Sequence, residues 1–153
     1  MSQPSGQTRP MQDLIERLDL EKLEENLFRG SSPQNGWQRV FGGLVIAQAL
    51  MAAQRCVDPD RIVHSLHAYF MRPGDEDYEI TYRVERDFDG GSFSTRRIIA
   101  LQQDRPILNM AASFQKLEEG FHHQEPMPDV PMPEELKDEA QLRAEYADLI
   151  PEI

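Results

Sequence analysis

The chain has 153 residues, a formal net charge of −11 and a single cysteine. That length suits one domain with tails, large enough to fold without covalent staples. One cysteine excludes an internal disulfide and a cysteine-based zinc cluster. The charge is unevenly spread: residues 1–117 carry 14 basic and 16 acidic side chains, and residues 118–153 carry 2 and 11. A nearly neutral body argues against a nucleic-acid surface, which needs clustered positive charge. It leaves room for an anionic small molecule held by a few arginines.

Residues 1–10 are mostly Ser, Gln, Gly and Pro, with one arginine, and lack the apolar stretch of a signal peptide. No apolar run reaches 18 residues, so a soluble, cytoplasmic protein without membrane contact is expected. Met11, Leu14, Ile15 and Leu18 fall at i, i+3, i+4 and i+7, which predicts a short amphipathic helix ending near Asp19. Residues 1–19 are read as a tail with this helix. Leu20–Phe28 shows no firm period, and Leu27–Gly30 reads as the end of a first strand. Ser31–Gly36 is turn chemistry, and Trp37–Phe41 leads into the next element.

That element is the most informative in the chain. From Gly43 to about Arg55 it is apolar on nearly every side, and a helix of that kind has to be enclosed. Asp58-Pro59-Asp60 ends it. Strand-like segments follow at Ile62–Met71, Tyr78–Asp87, Ser92–Gln102 and Ile107–Gln115. Tyr78, Ile80, Tyr82 and Val84 alternate with polar residues, so one strand face is buried and one solvated. Asp89-Gly90-Gly91 is a strong hairpin turn, and Gln103–Pro106 a weaker one. The order predicts an α+β fold: a long buried helix wrapped by a curved antiparallel sheet over residues 20–117. Residues 118–153 read as an acidic, proline-rich linker with a further helix over Glu134–Ile150, and a chain ending at Pro151-Glu152-Ile153 looks interrupted.

Several residues are candidates for chemistry. His64 and His67 are three apart in a strand, so strict alternation puts them on opposite faces and rules out joint metal ligation; no metal site is expected. His64 is the stronger candidate of the two, a group able to act near neutral pH. Gln48 is the only polar side chain between Gly43 and Ala53 and, on a helix that must be enclosed, needs partners. Gln115 ends the last strand among small residues that leave room for a ligand. Ser92, Ser94 and Thr95 offer hydroxyls, but no Gly-x-Ser-x-Gly elbow accompanies them. Arg72 and the pair Arg96-Arg97 are the best anion contacts, and alternation allows only one of the pair at a given site.

Five segments in order carry a resemblance. They are Leu27–Gly30; Val40–Gly43 with Gln48–Leu50; Val63–Phe70 with Arg72–Gly74; Gly91–Ser94 with Arg96-Arg97; and Ala112–Gln115. Together they resemble the N-terminal half of type II acyl-CoA thioesterases, over about Leu20–Gln124. The resemblance implies a hot-dog fold, of which the family carries two in tandem, and hydrolysis of fatty acyl-CoA to free acid and coenzyme A without a cofactor. It places the family's catalytic Asp, Thr or Ser, and Gln in the second hot-dog domain. Gln115 matches the position of the catalytic glutamine, while Gln48 stands on the helix where the second copy has its aspartate. An amide cannot accept the proton that a general base must take, so the chain alone is expected to be a weak or inactive thioesterase lining the acyl tunnel. The catalytic candidates are then Gln115, His64 and Gln48, and the substrate contacts Arg72, Gly91, Ser92, Phe93 and Arg96. The expected partners are acyl-CoA, a second hot-dog domain in cis or in trans, and further copies of the chain, since a lone sheet leaves edges to cover. A non-catalytic acyl-CoA-binding module is one alternative. Another is a hydratase or dehydratase pairing His64 with Asp58 or Asp60.

Overall fold

The computed structural model describes residues 10–34, 36 and 38–147. The turn and lead-in expected at Asn35 and Trp37, the extreme N-terminal tail and the end of the chain at Pro151–Ile153 lie outside the described residues. The chain divides into two compact units, Met1–Glu118 and Glu119–Ile153. In the first, α1 (Pro10–Leu18) is followed by β1 (Glu21–Glu24), β2 (Leu27–Gly30), α2 (Gly42–Gln54), β3 (Arg61–Phe70), β4 (Ile80–Asp89), β5 (Phe93–Gln102) and β6 (Arg105–Lys116). The second holds a 3-10 turn at Pro133–Glu135 and α3 (Glu139–Glu145), where Asp138 accepts a hydrogen bond from Gln141 N as the helix cap. No helix among the described residues is long and apolar enough to cross a membrane.

The six strands form one sheet in the order β1-β2-β4-β5-β6-β3, and every pair is antiparallel. The expected meander of β4, β5 and β6 is its centre. The β1–β2 hairpin turns over Glu25 and Asn26, in a stretch whose sequence shows no strand period. Helix α2 lies against one face, and Ala49, Ala52 and Ala53 at its contact are completely buried. Residues without side-chain bulk let the helix axis approach the sheet closely. Ile80, Tyr82 and Val84 of β4, Ile98 and Ala100 of β5, and Leu108, Met110, Ala112 and Phe114 of β6 complete the core. The alternation predicted for β4 holds from Ile80 onward; Tyr78 lies ahead of the strand and is exposed.

Two expectations are corrected. The enclosure of α2 is one-sided: Leu44, Val45, Gln48, Ala49, Ala52 and Ala53 are buried, while Ile46, Ala47, Leu50 and Met51 are only partly covered. A single sheet covers one flank of a helix and leaves the other to whatever packs there. The second correction concerns the histidines. β3 pairs Val63 with Phe114 and Ser65 with Ser113, so the strand carries one extra residue at His64. A bulge shifts the alternation by one, and His64 and His67 emerge on the same face, away from α2.

Candidate functional site

The residues singled out in the sequence fall at two ends of the sheet. At one end the bulge of β3 meets the starts of β5 and the end of β6. His64 Nε2 and Ser113 Oγ lie 2.8 Å apart, with donor and acceptor set by the tautomer. The edge of the His64 ring also meets Phe93, with ring centroids 5.7 Å apart at 73°. Gln115 is in register with both Ile62 and Phe93, which places it beside this cluster on the same face. Ser92 Oγ donates to Glu118 Oε1 at 2.9 Å, and its carbonyl accepts from Lys116 N. Gly91 stands at the exposed tip of the turn, with open space around it. His64, Gln115, Gly91, Ser92 and Phe93 are thus brought together. Ser113, which completes the cluster, lies in the Ala112–Gln115 segment but is not singled out by the sequence as a site residue, because only the bulge turns His64 toward it.

A clamp of buried charge lies under the turn. Arg61 donates from Nη1 to Ser94 Oγ at 2.8 Å and from Nη2 to Gly90 O at 2.7 Å. Arg96 donates to the carbonyls of Cys56, Phe88 and Thr95 and, at 2.6 Å, to Asp89 Oδ1. The Ser94 hydroxyl donates to the same carboxylate oxygen. These bonds from Ser94 and Arg96 hold the Asp89 carboxyl below its ordinary range. Burial pushes the Cys56 thiol upward. Arg96 is 1% exposed with its donors turned inward, so the expectation that it contacts an anionic substrate is corrected. It fastens the end of α2 and the turn to β5, while Arg97 is the exposed member of the pair, bound to Glu85 and Asp87.

Gln48 is likewise structural. It is completely buried; Nε2 donates to Arg17 O at 2.8 Å and Ser31 O at 3.0 Å, and Oε1 accepts from Tyr82 Oη at 2.7 Å. Burial pushes the Tyr82 phenol far above its usual range, so it stays a donor. With both N–H donors used and the side chain sealed from solvent, Gln48 is not placed to orient a substrate or a water. Arg72 lies two residues past the far end of β3, whose six steps from His64 to Phe70 span roughly 20 Å at about 3.3 Å per strand residue. It donates to Pro106 O at 2.7 Å and lines a cleft with Arg39, Val45 and Phe70. Asp58 and Asp60 face Arg61 and Lys116 rather than His64, so the pair a hydratase needs is not assembled. Among the described residues no cluster of His, Cys, Asp or Glu could hold a metal ion.

Residues 31–115 match the family model described as acyl-CoA thioesterase N-terminal domain. The chain belongs to this family. Its relatives among acyl-CoA thioesterases include acyl-CoA thioesterase 2 of Haemophilus influenzae, 45% identical over 142 residues that make up 93% of this chain and 50% of that protein. Acyl-coenzyme A thioesterase 8 of Homo sapiens is 46% identical across 84% of this chain and 41% of its own length. The crystal structure of an acyl-CoA thioesterase II, TesB2 from Mycobacterium marinum, superposes with a TM-score of 0.70 at 48% identity, covering 79% of this chain and 45% of that one. The thioesterase N-terminal resemblance and the hot-dog fold are both borne out. The chain spans about half the length of the curated relatives it matches.

Proposed function

We propose that this chain is the N-terminal hot-dog half of an enzyme that hydrolyses fatty acyl-CoA to the free acid and coenzyme A, contributing walls of the substrate site rather than the chemistry itself. The observation that carries this reading is Gln48: the buried polar position inside α2 is an amide, bonded to Arg17, Ser31 and Tyr82, where hydrolysis needs a base for water. His64 has a hydroxyl neighbour in Ser113 but none of the described carboxylates pairs with it, so the base-and-orienter arrangement of an activated nucleophile is incomplete. Gln115, Phe93 and the Gly91-Ser92 turn border this face and are the substrate contacts proposed there. The second hot-dog pairs along β3, a ten-residue edge strand bonded on one side only. A lone, buried cysteine suits a reducing, cytoplasmic setting.

The purified chain, given decanoyl-CoA with thiol release followed by a chromogenic disulfide, is expected to turn over far below about 1 per second, the low end of typical enzymes. Turnover above that value refutes the half-enzyme reading.

A further inference from the structure

At the end of the sheet away from His64, three segments are stitched together. Val40 N donates to Gly74 O at 2.9 Å, and Met71 N donates to Ile107 O at 2.8 Å. Between them opens a cleft of about 460 Å³, inside the roughly 300–1,000 Å³ range of small-molecule sites. Val45, Phe70, Met71 and Ile107 give it apolar walls, and its charged lining residues are Arg39 and Arg72. The carboxylates nearest in the chain serve other donors: Asp75 Oδ1 accepts from Asp77 N, and Glu76 Oε1 accepts from Gln38 N. Arg72 spends one of its five N–H donors on Pro106 O. Arg39 makes no hydrogen bond or ion pair among the described residues.

Guanidinium groups over an apolar floor suit a ligand with an anionic head and a greasy tail, because planar forks bind carboxylate in pairs of bonds while the walls remove methylenes from water. We propose that this cleft binds a free carboxylate carrying an unbranched apolar chain, its head on Arg39 and Arg72 and its tail along Val45, Phe70, Met71 and Ile107. The choice of a fatty carboxylate rests on the thioesterase reading, of which it is the product. The cleft is then a product site separated from the His64 face by most of the length of β3.

Titration calorimetry of the full chain with decanoate, below its micelle concentration, tests this, with decanol and unacylated coenzyme A as the other arms. Decanoate is expected to bind at least tenfold more tightly than decanol, and coenzyme A is expected not to compete. Arg39→Leu and Arg72→Leu, both at exposed positions, are each expected to weaken decanoate at least threefold. Equal binding of decanol, unchanged affinity in both variants, or displacement by coenzyme A overturns the assignment. The two readings fail separately: decanoate binding in a chain that turns over decanoyl-CoA above about 1 per second sustains the cleft and removes the half-enzyme reading, whereas negligible turnover without decanoate binding removes the cleft alone.

Discussion

Tyr82 and Gln48 form a polar pair buried between α2 and β4, and each makes the other tolerable. In Tyr82→Phe the Gln48 Oε1 loses its donor while remaining out of reach of water. Stranding a buried acceptor costs about 1–3 kcal/mol, to be read as a lower urea midpoint with an unchanged slope. Asp89 shows the pH side of the same chemistry. Its folded-state pKa is depressed by the Ser94 hydroxyl and then by Arg96. A depressed carboxylate stabilises the fold above its unfolded pKa of about 3.9 and loses that contribution as pH falls through the folded value. The stability gap between the native chain and Asp89→Asn is therefore expected to be constant from about pH 5 to 7 and to shrink below about pH 4, measured by denaturant melts across that range. The burial of Arg96 was not legible beforehand, because Ile98-Ile99-Ala100-Leu101 is apolar on both faces and alternation alone does not say which of Arg96 and Arg97 turns inward.

Among the elements, the helix and the four long strands were readable because their signals are long. Thirteen residues of mostly apolar helix, opening on a glycine pair and followed by a proline-containing stop, admit few alternatives. β1 was not, since Glu21–Glu24 alternates no apolar residues and exists only because β2 pairs with it. Nor was the bulge at His64, an extra residue that alters register without altering composition. That one residue decides which face His64 occupies, and so decides the membership of the candidate site. The contact of β2 with α2 is similarly silent in composition yet demanding in space. A Cβ at Gly30 would lie 2.6 Å from Gln48 Oε1, and the amide cannot move without giving up its three bonds. Gly30→Ala is expected to destabilise the chain by about 1–3 kcal/mol, the usual cost of overpacking, seen as a lower thermal midpoint.

For the hot-dog unit as a whole, what stays uncovered is as informative as what is packed. Ile62, Leu66, Tyr69 and Phe70 of β3 all remain substantially exposed, and the strand's outer hydrogen-bonding side is unpaired within the sheet. An exposed, partly apolar edge of ten residues invites another strand. Sedimentation of the native chain is expected to show a concentration-dependent dimer, and Leu66→Lys, which sets a charge in that edge, is expected to return it to monomer. A monomer at all concentrations in both cases refutes the edge as a pairing surface.

The two borders of the sheet are unequal: β3 runs ten residues, while β1 at the far border has four, with Glu21, Lys22 and Glu24 among them. A plate with one adhesive rim and one blunt rim can couple with a mate and then has nowhere further to grow. Pairs rather than ribbons are therefore expected of any chain that joins another through β3.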